Sequence, residues 1–360
     1  MRAQLHHGRQ DAGRGSRVPV FRVRGALAIA AFCAAALLWP SGLSAQEITF
    51  LRIGTGSTVG TYFPIGGIIA SAISKPPGSR DCEVGGSCGV PGLIAVAQST
   101  EGSVANVMGI AEGTLESGLS QADISYWAYQ GERIFKDSGP IANLRTIANL
   151  YPEAVHIVVR RDSGINSIRE LRGKRVSLDR EGSGTRVDAL SILAAYGLTP
   201  EDFEAEALAP GDAADQLRAG KLDAFFLVVG TPAKGIIDLA EDSLISLLPI
   251  TGPEAEEVRK RYPFFHEDRI AAGTYFNVPS TPTLSVGAQW LVSADVPEDL
   301  VYGMTQALWH ENTRPLLDNG HPKGRLIDVD SAFDGLVVPM HPGAVRYYLD
   351  AGISPPDGTD

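Results

Sequence analysis

The sequence predicts an α/β protein of two domains with mostly parallel sheets. Three observations carry that prediction. Strand-like apolar runs alternate with helix-like segments along most of the chain. Four of the turns between them are short loops built on glycine, serine and threonine. The chain has 360 residues, and the 315 that follow a signal-like first 45 are enough for two cores.

Residues 1–45 read as an export signal. Six arginines (Arg2, Arg9, Arg14, Arg17, Arg22, Arg24) against one acid, Asp11, precede the apolar GALAIAAFCAAALLWP and the small-residue SGLSA, so cleavage is expected after Ala45. The apolar core is short for a membrane span and is broken by Pro40. The whole chain carries 31 basic and 42 acidic residues; beyond Ala45 the counts are 25 and 41, a formal charge of −16. Such a chain is a poor nucleic-acid binder, because phosphate contacts need Lys/Arg patches. Cys82 and Cys88, in SRDCEVGGSCGVPG, read in an exported chain as one small disulfide loop, with a pair of free thiols as the alternative.

ITFLRI (48–53) is the first strand. Beyond its glycines, Ile65, Ile68, Ile69, Ala72 and Ile73 fall at helical spacing, with Pro64 tolerable in the first turn. LIAVAQ (93–98) is a second strand, followed by a helix from about Val104. ISYWAYQG (124–131) reads as helix with Asp123 as N-cap. LRTIANL and AVHIVVR are two strand-like runs close together, a pair able to carry the chain from one domain into the other. SIRELRGK reads as a short helix, RVSLD (175–179) as a strand, and TRVDALSILAAYG as a helix ending at Gly197. LDAFFLVV (222–229) is a buried strand, followed by a helix through GIIDLA and a strand at SLISLLPI (243–250). TPTLSVGAQWLVS (281–293) is a return strand. A helix over PEDLVYGMTQALWHEN follows, with Pro297 at its start and Leu300, Met304 and Leu308 on one face.

The four loops share one grammar of strand, small polar loop and helix: IGTGSTVGTY (53–62), QSTEGSVAN (98–106), LDREGSGTR (178–186) and VVGTP (228–232). Glycine lets the backbone approach a ligand, serine and threonine add hydroxyls, and the helix behind presents unpaired N–H groups. A single such loop is often only a helix cap. Four, split between two halves, point to a small anionic or zwitterionic ligand held between two domains. The first loop spaces its glycines G-x-G-x-x-x-G, and Lys75 and Arg80 occupy the region where a dinucleotide site wants an acid. No Walker lysine follows. Gly85-Gly86-Ser87-Cys88-Gly89 matches the nucleophile-elbow string but lacks the strand–helix context. His156, His266, His310, His321 and His341 are scattered, and Asp328 and Asp330 read as a solvated loop pair, so neither a cofactor nor a metal site is expected. Tyr62 either closes over a ligand or packs the first helix. Arg186 either pairs with a ligand carboxylate or makes a surface ion pair.

IGTGSTVGTYFPIGG, AQSTEGSVANV, SGLSQADISYWAYQG, LRGKRVSLDREGSGTR, KLDAFFLVVGTP and VVPMHPGAVRYYLDAGI, in this order, resemble the TAXI-type solute receptors of TRAP transporters over residues 47–353. The resemblance implies a two-lobed periplasmic binding protein, type II-like, with a two-stranded hinge. Lobe 1 would be 46–155 plus 281–360 and lobe 2 would be 156–280. It implies a monomeric receptor, not an enzyme, that delivers a glutamate-like or other small carboxylate or amino acid to TRAP membrane subunits. The alternatives are a periplasmic sensor for a membrane receptor, or an enzyme on the same scaffold. Carried over by position, the cleft residues are Ser57, Thr58, Thr61, Tyr62, Ser103, Asn106 and Gln121 from the first lobe. Ser183, Gly184, Thr185, Gly230 and Thr231 come from the second.

Overall fold

A computed structural model describes residues 47–356. The expected signal segment and its cleavage point lie outside the described residues.

Strand β1 (Thr49–Gly54) runs into helix α1 (Tyr62–Ile73). The short strands β2 (Ser74–Lys75) and β3 (Val90–Pro91) flank the segment that carries the Cys82–Cys88 disulfide. β4 (Leu93–Gln98) leads to α2 (Ser103–Ala111), and β5 (Ser117–Gln121) to α3 (Ala122–Gln130). The long strand β6 (Leu144–Arg160) then leaves this first half. In the second half β7 (Arg175–Ser177) leads to α4 (Gly184–Ala195), β8 (Glu204–Glu206) to α5 (Pro210–Arg218), and β9 (Ala224–Val229) to α6 (Lys234–Glu241). β10 (Ile245–Leu247), α7 (Pro253–Arg261) and β11 (His266–Ile270) follow. β12 (Thr281–Ser293) returns, and α8 (Glu298–Leu308), α9 (Arg314–Gly320) and α10 (Pro342–Asp350) complete the chain.

Two parallel groups, β4-β1-β5 and β9-β7-β8, are joined by β12 and β6 in the order β4-β1-β5-β12-β6-β9-β7-β8. β12 is antiparallel to β5 and β6, and β6 is antiparallel to β9. The α/β class is therefore observed, with both parallel groups in one ten-stranded sheet through which β6 and β12 run. β6 pairs with β12 along Leu144–Ala154 and with β9 along Ala154–Val159, so one strand serves both groups.

Each half is covered on both sides. In the first, Leu51 and Ile53 pack with Ile65, Ile69 and Ile73 of α1 and with Met304, Leu308 and Tyr348 from the C-terminal helices. In the second, side chains alternate between faces as a pleated strand requires. Val155, Ile157, Ala224 and Phe226 meet Ile192 of α4, while Val158, Phe225 and Leu227 meet Leu217 and Ile236.

Several elements differ from the sequence reading. LRTIANL and AVHIVVR are one strand of 17 residues, continuous through exposed Pro152, whose missing N–H stands opposite Gly287. The N-cap of α3 is Gln121, and Asp123 lies buried inside the first turn. SIRELRGK makes only a 3-10 turn, Ile168–Leu171, and Gly173 with φ 67° ends it. SLISLLPI contributes three strand residues. Ser87 gives its hydroxyl to the Ser74 carbonyl within the disulfide-bonded segment, so no nucleophile elbow forms there. Among the described residues, no helix is long and apolar enough to cross a membrane.

Candidate functional site

The carboxyl ends of β1, β4, β5, β7 and β9 converge on one cavity of about 60 Å³ between the halves. Ligands in parallel α/β sheets bind at these strand ends. This volume exceeds the roughly 10–15 Å³ that one water needs, so it takes a small solute or several waters. Ser57, Thr61, Tyr62, Ser103 and Gln121 line it from the first half, and Ser183, Gly184 and Thr185 from the second.

The walls touch across the cavity. Thr61 Oγ1 donates to the Gly230 carbonyl at 2.8 Å. The Ala105 amide donates to the Gly182 carbonyl at 3.0 Å, and Arg180 pairs with Glu101 at 2.7 Å. The amide of Gln121 donates to Asp188 at 2.9 Å. Gly102, the residue before α2, has φ 123° and ψ −154°, a conformation that suits glycine. A Cβ there would also stand 3.5 Å from the Ser183 backbone.

Several expected residues serve the framework instead. Asn106 is fully buried; its amide donates at 2.7 Å to the Thr55 and Leu119 carbonyls and accepts from Thr100 at 2.7 Å. That amide ties the ends of β1 and β5 to α2 and leaves no group for a ligand. Thr58 is exposed, and Thr58, Asn106, Gly230 and Thr231 are not among the lining residues. Thr231 precedes Pro232 through a cis bond. Arg186 lines a separate groove with Met108, Phe135 and Leu190 and supplies no cation to the cavity. Ser183 Oγ donates to Asp179 at 2.7 Å and accepts from the Thr185 amide, capping α4. Thr185 Oγ1 accepts from the Val228 amide at 3.0 Å. Thr185→Val is therefore expected to cost about 1–3 kcal/mol in urea unfolding, because a buried N–H loses its acceptor.

Glu101, Glu153 and Asp179 also line the cavity, and the sequence reading singled out none of them. Glu153 sits where β6 passes between the halves and accepts from the Tyr62 hydroxyl at 2.6 Å. Burial pushes its carboxyl up to about 8, against opposing pulls from Tyr62 and the nearby Lys323. Burial likewise raises Asp179 to about 6, and this residue holds a left-handed φ of 71°. Burial also drives the Tyr62 phenol well above its ordinary range. Tyr62 packs in the core with α1, and its side chain also lines the cavity. The clue to Glu153 was an acid inside the otherwise apolar AVHIVVR neighbourhood. The clue to Asp179 was its place in LDREGSGTR.

A family model described as NMT1-like matches residues 53–352. Several solved structures are similar at low identity. The alkanesulfonate-binding protein SsuA from Xanthomonas axonopodis pv. citri, bound to MOPS, is 16% identical over 85% of this chain and 91% of its own, with a TM-score of 0.46. PhnD1 from Prochlorococcus marinus (MIT 9301), in complex with methylphosphonate, is 14% identical over 75% of this chain and 89% of its own, with a TM-score of 0.46. A putative L-cystine ABC transporter structure from Listeria monocytogenes is 14% identical over 79% and 98%, with a TM-score of 0.43.

Proposed function

The chain belongs to the NMT1-like family, and we propose that it is an extracytoplasmic solute receptor that closes two lobes on one small zwitterionic molecule. The observation that carries this reading is the small cavity at the strand ends, walled by both halves, which β6 and β12 connect. The lobes would comprise 46–155 with 281–360, and 156–280, and closure would be a hinge motion about the two long strands.

The ligand class follows from the lining. Its ionisable side chains, Tyr62 apart, are the carboxyls Glu101, Glu153 and Asp179, and Glu101 is already paired with Arg180. A dianion would meet buried acids and no cation among the lining side chains; Lys323 lies outside the lining, acting on Glu153. A zwitterion can place its ammonium at Glu153 and Asp179. Its carboxylate can face the N-termini of α2 and α4, where the helix dipole and the first-turn N–H groups other than those of Ala105 and Thr185, which are already paired, favour negative charge. This makes an amino acid a better occupant than a simple carboxylate. The resemblance of the ordered loop motifs to TAXI receptors supports delivery to TRAP-type membrane subunits, and the signal-like leader supports a periplasmic location. On this reading the protein performs no chemistry on its cargo.

Mass spectrometry of molecules released by denaturing the purified protein identifies the cargo. Adding that molecule back to stripped protein is expected to compact it in small-angle scattering. Unchanged scattering at saturation would sink the closing-receptor reading.

A further inference from the structure

Behind the cavity, two carboxyls meet across the boundary between the halves. Asp123 belongs to α3 of the first half and Asp188 to α4 of the second, and both are 0% exposed. Gln121, the N-cap of α3, reaches Asp188 from the turn that holds Asp123, and each carboxyl bears electrostatically on the other. Gln121 donates its amide to Asp188 Oδ2 at 2.9 Å. Neither oxygen of Asp123 has a donor in hydrogen-bonding geometry, nor has Asp188 Oδ1. Two bare carboxylates so placed would repel in a medium that screens little. With one proton between them, one acid donates to the other, and two of the three orphaned oxygens, one on each residue, gain a partner.

The neighbouring charges do not remove the need for that proton. Arg133, in the turn after α3, is the cation acting on the pair. Its guanidinium is already engaged: it bonds the Tyr262 hydroxyl and Ser191 Oγ of the second half and lies over the Trp127 and Tyr262 rings. Glu153, from β6, adds a further negative charge facing Asp188. Burial raises both aspartates, Asp188 well above the ordinary range.

Resting on the receptor reading, we propose that Asp123 and Asp188 share one proton across the boundary and that this proton latches the cleft closed. Opening exposes both acids to water, where each ionises in its ordinary range near 4. Closing at neutral pH therefore takes up about one proton at the pair. A carboxyl whose closed-state affinity for a proton is raised favours closure at low pH, and that contribution fades as pH rises through the raised value. Glu153 and Asp179, which rise to about 8 and about 6 in the closed, empty cavity, act in the same direction.

Asp188→Asn and Asp123→Asn separate the pair from those two. In each variant the new amide donates to the remaining carboxylate without a titrating proton. Small-angle scattering of the solute-free protein is measured from pH 5 to 9. The wild type is expected to be compact at low pH and to extend as pH rises. Both variants are expected to stay compact to a pH about one unit higher or more. A wild type whose dimensions ignore pH overturns the latch whether or not a variant folds, and so do folded variants that track the wild type. L-glutamine added in the same series keeps the two ideas apart. Compaction by it at every pH, equal in wild type and variants, removes the latch and leaves the receptor.

Discussion

Gly184→Ala is expected to weaken solute binding about 10- to 100-fold while leaving thermal stability unchanged or slightly higher. Gly184 is the first residue of α4, and its φ is not in the left-handed region, so alanine fits the backbone and is the better helix former. The obstacle lies across the cleft. A Cβ at 184 would stand 1.5 Å from Gln121 Oε1, 2.7 Å from its Cδ and 3.0 Å from Ser103 Oγ. Gln121 cannot swing aside freely, because it accepts from Ser103 at 3.3 Å and donates to Asp188 at 2.9 Å. The clash exists only when the halves meet. The substitution therefore acts on the open–closed equilibrium and spares folding. Calorimetry with the molecule released from the wild type gives the affinity, and a thermal melt gives the stability. Wild-type affinity in the variant would show that the cleft does not close on its ligand in this geometry.

What the sequence disclosed and what it hid have physical reasons. β1, β4, β9 and β12 were legible because their apolar runs end in glycine or small polar loops. β5 was not, because SGLSQ is small and polar, yet every one of its residues is buried. Its composition answers close packing: Gly118 leaves room for Asn106, whose Cβ would be 3.0 Å from a Cβ at that position. Ser117 accepts from the Trp290 indole at 2.6 Å. β6 read as two strands because proline and an acid interrupt its apolar pattern. Those residues, Pro152 and Glu153, lie where the strand passes from one half to the other. Loop chemistry located the cavity, since Ser57, Tyr62, Ser103 and Ser183 all line it. It could not tell hydroxyls that face the cavity from those that cap a helix or hold a strand end. Nor could it select three acids out of 42, because their convergence is made by tertiary folding.

Those acids carry the second large effect. Glu153→Gln is expected to weaken binding of the released amino acid about 10- to 100-fold, since a hydrogen bond to a charged group contributes roughly 1.5–3 kcal/mol. It should leave binding of the 2-oxo analogue, which lacks the ammonium, nearly unchanged. In the closed, empty cavity burial pushes Glu153 up to about 8, so at neutral pH the carboxyl holds a proton. An ammonium in the cavity takes the place of that proton and keeps the carboxylate ionised, accepting from Tyr62 on its other side. Glutamine keeps the volume and the partner for Tyr62 but offers no charge to the ligand. It also removes a buried ionisable group, so the variant should unfold at the same urea concentration as the wild type or higher. Calorimetry with L-glutamine and its monoanionic 2-oxo analogue as a matched pair reads the effect directly. Equal losses for both, or a loss for neither, would mean that Glu153 does not recognise an ammonium and that the acidic lining serves the closed fold alone.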